Sequence, residues 1–237
     1  MKKKLYSTFN HWFYADGQKE PGEIYFYSDP HFSDEEMKYL RKNYIGDEEQ
    51  VKKINSKIGK NDTIVFLGDI GNTDFIKKIR GYKVLIMGNH DKGPSNYRRV
   101  EKFISKDEYN SMSEEEKKEF SRVREVSNLP NCDFTERLYY LDNCLFDEVY
   151  DGPLFISNKI LLTHAPIKYD NGLNIHGHDH SNRDFVDDLH LNVCAENINY
   201  TPISLSSIIK SGRLAHILDL NAATVERAKD GCNKWLH

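Results

Sequence analysis

The segment IHGHDH, at residues 175–180, places histidines at three alternate positions. Side chains of similar chemistry follow four other short apolar runs of the chain: Asp29 and His31, Asp69, Asn89 and His90, and His164. Imidazoles and carboxylates can bind a metal ion or transfer protons near neutral pH. Their recurrence after apolar runs predicts a functional site that is assembled from several parts of the chain.

The side chains of these segments form a donor set for metal ions. Counted over Asp29, His31, Asp69, Asn89, His90, His164, His178 and His180, the set has two carboxylates, one amide and up to five imidazoles, and it contains no thiolate. Such oxygen and nitrogen donors suit Mn²⁺, Fe, Zn²⁺ or Ni²⁺ and argue against a closed structural zinc site. One four-coordinate ion needs fewer ligands, whereas two ions that share a carboxylate would use them. We therefore expect two divalent transition-metal ions, with Mn²⁺ favoured.

Each motif alone is also typical of an ordinary turn or of a packed histidine. What favours a metal site is their combination, because each motif ends an apolar run with the length and composition of a buried strand. The predicted strands are Glu23–Ser28, Thr63–Leu67, Lys83–Met87, Ile160–Thr163 and two more within 173–180 and 189–195.

Helices are predicted between the first strands, over 33–43, 46–59 and 72–81. Ser33 is the expected N-cap of the first helix, and Asn72 or Thr73 that of the third. Strand and helix thus alternate in the first part of the chain, which indicates a layered α/β core. Ligands bind at the carboxyl ends of the strands in α/β sheets, so the polar groups are expected to converge on one cleft.

The pattern changes between residues 97 and 151. The run SMSEEEKKEFSRVREV, at 111–126, predicts a solvated helix in which Ser113 and Glu116 have the spacing of a capping box. The run LFISNKILLTH, at 154–164, predicts a hairpin that turns at Ser157-Asn158. We expect a single domain over residues 1–237, with 97–151 as an insertion or lid.

Composition narrows the class of protein. The net charge of −4 offers no long-range attraction for nucleic acid. Two cationic candidates near the site motifs, Arg98-Arg99 and Arg183, are better explained as exposed turn residues. No apolar run reaches the ~18 residues that a membrane span needs, and the N-terminal residues lack the apolar core of a signal peptide. We expect a cytoplasmic protein whose four cysteines are free thiols.

The ordered series D-x-H, GD, GNH[DE], H and GHxH resembles the motifs of the calcineurin-like metallophosphoesterases. In this chain it reads Asp29-Pro30-His31, Gly68-Asp69, Gly88-Asn89-His90-Asp91, His164 and Gly177-His178-Asp179-His180. The resemblance implies an α/β fold, namely a two-sheet sandwich flanked by helices (α/β/β/α). It also implies a dinuclear metal site at the strand ends.

Carried over by position, the resemblance divides the ligands between two ions. One ion would be held by Asp29, His31 and His180, and the second by Asn89, His164 and His178. Asp69 would bridge the two ions. His90 resembles the non-ligand histidine that protonates the leaving group or contacts a phosphoryl oxygen. The implied reaction is hydrolysis of a phosphate mono- or diester by a hydroxide that bridges the metal ions.

Two departures from the family patterns reduce the range of activities to be expected. Asn72 stands where protein phosphatases carry an aspartate that orients the catalytic histidine, which disfavours a Ser/Thr phosphatase. The run DPHFSD lacks the second histidine of the D-x-H-F-G-H pattern. The likeness is greatest to small bacterial or phage phosphoesterases. One alternative is a nuclease or cyclic-nucleotide phosphodiesterase of the same superfamily. Another is a non-catalytic scaffold with the same fold. The scaffold is disfavoured because all seven ligand positions of the family pattern are filled.

His176 falls outside the family pattern. In an extended strand, positions 176, 178 and 180 would share one face, so alternation alone does not choose among the three histidines. The GHxH spacing selects His178 and His180 as ligands. We expect His176 to contact a ligand or to pack against the strand, and Gly177 to let the backbone pass close to the site.

Overall fold

The computed structural model describes residues 5–14, 19–91, 97, 101–118, 120, 122–126, 138–142, 145–181 and 187–217. Several residues considered above lie outside these ranges: Arg98, Arg99, Arg183, Cys132, Cys144 and Cys232. The fourth cysteine, Cys194, is buried and not in a disulfide. Across the described ranges, no helix combines the length and apolar character required to cross a membrane.

The strands in chain order are β1 (Ile24–Tyr27), β2 (Thr63–Phe66), β3 (Tyr82–Ile86), β4 (Glu101–Ser105), β5 (Arg122–Val126), β6 (Leu138–Asp142), β7 (Glu148–Tyr150), β8 (Leu154–Ser157), β9 (Ile160–Leu162), β10 (Leu173–His176), β11 (His190–Asn192) and β12 (Ile203–Ser204). The α-helices are α1 (Met37–Leu40), α2 (Asp47–Asn55), α3 (Lys106–Ser111), α4 (Glu114–Lys118) and α5 (Leu205–Lys210). Among the described residues, Ser7–Phe13 and Thr73–Lys78 form 3₁₀ helices. The six predicted strands are therefore confirmed, to within a residue or two at the ends of the first four.

These strands form three sheets. The first has the order β12-β1-β2-β3-β7, in which β1, β2, β3 and β7 are parallel. The second has the order β11-β10-β9-β8, in which β9, β10 and β11 are parallel. The third is a small antiparallel sheet, β4-β6-β5, formed by residues that lie between β3 and β7 in the sequence.

The main hydrophobic core lies between the first two sheets. Ile24 and Phe26 of β1 face this core, where they join apolar residues of the second sheet such as Leu162 and Ile175. On the opposite face of the first sheet, Tyr27 packs in a second core with Val51 and Ile54 of α2. The expected α/β fold, a two-sheet sandwich flanked by helices, is therefore confirmed.

The two sheets approach each other where β1 ends. The main-chain N–H of Ser28 donates to the carbonyl of Val193 at 2.9 Å, and the N–H of Ala195 donates to the carbonyl of Ser28 at 2.9 Å. These bonds form a parallel bridge between Ser28 and Cys194. The chain that leaves β1 therefore lies against the chain that leaves β11, and polar groups from both sheets meet at this edge.

The prediction of one helix over 111–126 was wrong. The helix α4 ends at Lys118, and Arg122–Val126 forms β5, which pairs with β6. The predicted capping box is present, because the Ser113 N–H donates to Glu116 Oε2 at 2.7 Å and the Glu116 N–H donates to Ser113 Oγ at 3.2 Å. Pairing with β6 has thus overridden the helical tendency of the charged sequence after Lys118.

Two other local predictions need correction. Ser33 is not the N-cap of the first helix: it has a φ of 63°, and the short helix α1 begins at Met37 with Glu36 as its N-cap. The hairpin of β8 and β9 is present, but Ser157 pairs with Ile160, so the turn residues are Asn158 and Lys159. The expected cap of the third helix is present, since the Asn72 side chain accepts a hydrogen bond from the Asp74 N–H.

Candidate metal centre

Five strands end at the candidate site, and the backbone turns sharply after several of them. Asp29, His31, Asp69 and His178 have positive φ angles of 54°, 46°, 53° and 65°. The left-handed region is uncommon for residues other than glycine, and such residues cluster at functional sites where the surrounding structure holds them. The turn at His178 also ends the strand alternation that would have placed all three histidines on one face.

The first group of candidate ligands contains Asp29, His31 and His180, whose ligand atoms all lie within 4.8 Å of one another. Oδ1 of Asp29 is 3.5 Å from Nε2 of His180 and 3.8 Å from Nε2 of His31. Both Asp29 Oδ1 and His31 Nε2 are buried and have no hydrogen-bond partner in the described part of the protein. Because unsatisfied buried polar atoms are costly, this arrangement fits a metal ion as their common partner.

The second group contains Asp69, His164 and His178, whose ligand atoms also lie within 4.8 Å of one another. Nε2 of His164 is 3.4 Å from Oδ2 of Asp69 and 3.1 Å from Nδ1 of His178. The amide oxygen of Asn89 lies 2.8 Å from the same Nε2 atom. The structure thus brings together the four side chains that the sequence suggested for this part of the site.

Asp69 belongs to the second group and also reaches the first. Its Oδ2 atom is 3.6 Å from Nε2 of His31 and 3.4 Å from Nε2 of His164. Its other oxygen, Oδ1, accepts a hydrogen bond of 2.9 Å from the His90 N–H. One carboxylate oxygen is therefore within reach of ligands from both groups, as a bridging ligand would have to be.

Hydrogen bonds fix the orientation of two candidate ligands. Nδ1 of His164 donates to the carbonyl of Leu67 at 2.7 Å, and Nδ1 of His180 donates to Oε1 of Glu196 at 2.5 Å. In each ring the Nε2 atom is then the one directed at the ligand group. Partners of this kind select the tautomer of a metal-binding histidine and raise its basicity.

The site combines burial with strong charge interactions. Burial lowers the pKa of His31. Burial also acts to lower the pKa of His164, but the hydrogen bond to Asp69 and the charge of Asp29 outweigh it and raise that pKa to about 9. Burial acts to raise the pKa of Asp69, yet the hydrogen bond from His164 leads the effects that hold that pKa below its ordinary value. A negative carboxylate thus faces a protonated His164 in the metal-free protein, and a metal ion would compete with that proton.

Two glycines allow the loops to approach closely. A Cβ atom at Gly177 would lie 1.9 Å from Ser28 Oγ and 2.1 Å from Asp29 Oδ2. A Cβ atom at Gly88 would lie 2.2 Å from Asp69 Oδ1. Any side chain at these positions would displace a candidate ligand, so glycine is needed here for space, as expected for Gly177.

Asp91 has a structural role that the GNHD motif alone did not reveal. Its carboxylate accepts hydrogen bonds from the main-chain N–H groups of Asp69 at 3.0 Å, Ile70 at 3.1 Å and Gly88 at 2.8 Å. It also accepts one from the Tyr97 hydroxyl at 3.0 Å. Asp91 therefore connects the turns that follow β2 and β3. Its position directly after Asn89-His90 was the only feature of the sequence that pointed to a role at this site.

A cleft of about 540 Å³ adjoins the candidate ligands. It is lined by His31, Phe32, Ser33, Asp34, Gly71, Asn72, Thr73, His90 and Tyr97. His90 is exposed, and its ring centroid is 5.6 Å from that of His31. His90 is thus accessible to a molecule in the cleft, while its main chain is tied to Asp69.

His176 lies outside both ligand groups. It is fully buried, its Nδ1 donates to the carbonyl of Gly177 at 2.9 Å, and its ring packs edge-on against that of His190. Burial lowers its pKa, which favours a neutral ring. These contacts fit the expectation that His176 packs against the strand.

Comparison with known proteins gives a family match and a structural neighbour. The family model described as calcineurin-like phosphoesterase matches residues 22–195. A crystal structure of a protein of unknown function from Aquifex aeolicus is similar with a TM-score of 0.53 and 24% sequence identity, over 80% of this chain and 98% of that one. At this identity the likeness supports the fold alone. No curated protein matches the chain.

Proposed function

The chain belongs to the calcineurin-like phosphoesterase family, and from this premise we propose that it is a binuclear hydrolase of a phosphate mono- or diester. Family membership and the two candidate ligand groups support a metal-dependent phosphoesterase. The observation that carries the binuclear proposal is the position of Asp69 Oδ2, at 3.6 Å from His31 Nε2 and 3.4 Å from His164 Nε2.

In this proposal Asp29, His31 and His180 hold one ion, Asn89, His164 and His178 hold the other, and Asp69 bridges them. Two divalent ions, with Mn²⁺ favoured over Fe, Zn²⁺ or Ni²⁺, would activate water and neutralise charge on the phosphoryl oxygens. The oxygen and nitrogen donors and the two orphaned buried atoms of the first group support this assignment.

His90 is the proposed acid. His90 lines the cleft. Its main-chain N–H donates a hydrogen bond to Asp69, which keeps the residue next to the carboxylate proposed as the bridge. An imidazole in this place can donate a proton to the departing oxygen or a hydrogen bond to a phosphoryl oxygen. Asn72 lines the same cleft. Because its side chain is a neutral amide, it cannot replace the negatively charged aspartate that orients the catalytic histidine in protein phosphatases.

The organisation of the chain is part of the proposal. We take residues 1–237 as a single domain and 97–151 as an insertion or lid that influences substrate choice. The position of Tyr97 in the lining of the cleft supports this role. Strand β7, near the end of 97–151, belongs to the first sheet. An inserted unit would therefore comprise only the residues of this segment that precede β7. A cytoplasmic location is retained as a further part of the proposal.

The test is hydrolysis by the full chain with Mn²⁺. The substrates are p-nitrophenyl phosphate, its bis-ester, cyclic nucleotides and single-stranded DNA, and Asp69→Asn is the control. We expect turnover of at least one ester by the wild type and none by the control, with both proteins folded. Preference for cyclic nucleotides or DNA would identify the alternative diesterase activities. Activity retained in Asp69→Asn, or no turnover of any ester by metal-loaded wild type, would contradict the proposal.

A further inference from the structure

A buried ion pair lies behind the first ligand group. Nε of Arg41 is 3.2 Å from Oε2 of Glu196, and the two side chains are only 1% and 8% exposed. A buried ion pair often contributes no more stability than apolar side chains of the same size. Its position beside the metal ligands therefore suggests a role other than stability.

Each member of the pair contacts a different part of the first ligand group. Glu196 Oε1 accepts the hydrogen bond from His180 Nδ1 at 2.5 Å. Arg41 donates through Nη2 to the carbonyl of Asp29 at 2.6 Å and through Nη1 to the carbonyl of Pro30 at 3.4 Å. The pair thus connects His180 with the turn that carries Asp29 and His31.

That turn needs support from its surroundings. Asp29 and His31 both have left-handed backbone conformations, which persist only where neighbouring groups hold them. The carboxylate of Glu196 in turn fixes His180 with Nε2 facing the group and increases its basicity. The second group is oriented in another way, because His164 donates to a main-chain carbonyl.

We infer that Glu196 and Arg41 are positioning residues that set the metal affinity of the Asp29–His31–His180 group, with little effect on the Asp69–His164–His178 group. This inference rests on the proposed two-metal function. Replacing the carboxylate by a neutral group takes away the charged partner of His180 and leaves the Arg41 charge uncompensated near a cation, and both effects weaken binding of that ion.

The experiment is calorimetric titration of Mn²⁺ into the metal-free full chain. His180→Ala and His178→Ala identify which binding step belongs to each group. In Glu196→Gln, the step that His180→Ala removes should weaken about 10- to 100-fold, the usual loss when such a partner is removed. The other step should change far less, and thermal unfolding checks that each variant is folded.

The matched control is Glu148→Gln. Glu148 is a less buried carboxylate at the start of β7, and it accepts hydrogen bonds from Trp12 Nε1 and the Tyr82 hydroxyl, both at 2.9 Å. This variant should lose stability without loss of metal affinity. If Glu196→Gln does not fold, Glu196→Asp keeps a negative charge to compensate Arg41 but shortens the side chain that reaches His180, and a selective loss at the same step is expected.

Unchanged binding in the Glu196 variant, or an equal loss at both steps, would overturn the inference while leaving the two-metal function intact. A wild-type chain that binds fewer than two ions would overturn both.

Discussion

Oδ2 of Asp69 lies 3.6 Å from Nε2 of His31, although the two residues follow different strands and belong to different ligand groups. The same oxygen is 3.4 Å from Nε2 of His164. The two candidate groups are therefore adjacent, and the proposed bridging role of Asp69 predicts that a change at this residue affects both.

Replacing His90 should separate chemistry from metal binding. We expect His90→Ala to lower kcat by about 10²-fold or more, the usual effect of removing a general acid, while the bound metal content stays the same. Metal analysis and steady-state kinetics on the same preparation test this. The exposed His216 offers a control, and His216→Ala should match the wild type. Loss of metal with kcat per bound metal unchanged would make His90 a ligand instead.

Protons should compete with metal ions at His164. Its pKa is about 9 in the metal-free protein, above the ordinary value of 6.5, so protonation of His164 favours the folded state. That contribution is complete below pH 6.5 and is lost as the pH rises through 9. The unfolding free energy of the metal-free chain should therefore fall over this range, while Mn²⁺ affinity rises by up to about tenfold per pH unit.

Thermal unfolding after chelation and calorimetry at several pH values measure the two effects. In His164→Asn, the unfolding free energy of the metal-free chain should fall less over this pH range than it does in the wild type. A wild-type stability that does not fall between pH 6.5 and about 9 would show that the proton on His164 does not stabilise the fold.

A methyl group at Gly177 should disturb the first ligand group. Its Cβ would lie 2.1 Å from Asp29 Oδ2, so the carboxylate must move. We expect Gly177→Ala to lose Mn²⁺ affinity and about 1–3 kcal/mol of unfolding free energy, as overpacking does. Gly152→Ala is the control, because no described atom lies within 4 Å of the Cβ it would add. Equal metal affinity in the two variants would contradict the close approach of Gly177 to Asp29.

Removing the Asp91 carboxylate should loosen the turns after β2 and β3. Asp91→Ala leaves three main-chain N–H groups without this acceptor. Because each unsatisfied buried group costs about 1–3 kcal/mol, denaturant unfolding should detect a loss of at least ~2 kcal/mol. Asp74→Ala removes an exposed carboxylate paired with Lys77 and should change stability by less than about 0.5 kcal/mol. Similar stability of the two variants would show that Asp91 does not hold these turns.

Much of the candidate site could be predicted from the sequence, because its candidate ligands follow strands that are themselves recognisable. Short apolar runs such as that before Asp69 indicate buried strands, and parallel strands place the residues that follow them at one edge. The convergence of Asp29 and Asp69, which follow the paired parallel strands β1 and β2, is expected from that rule. Local sequence therefore carried most of this information.

Contacts between distant segments could not be predicted in the same way. Arg41 and Glu196 belong to no motif, and only the folded chain brings them together behind His180. The late start of α1 has a similar cause: Phe32 bridges to Gly71, and the Ser33 N–H donates to Asp47 rather than opening a helix. In each case tertiary contacts, and not local preference, decide the structure.

Titration of activity with metal tests most directly whether two metal ions act together at one centre. Mn²⁺ is added in steps to the metal-free full chain at a protein concentration well above the dissociation constants, and ester hydrolysis is measured at each step with the best substrate of the panel. We predict that full activity requires two equivalents per chain, and that Asp69→Asn remains inactive at any metal concentration. Full activity at one equivalent, or activity in Asp69→Asn, would contradict the two-metal centre.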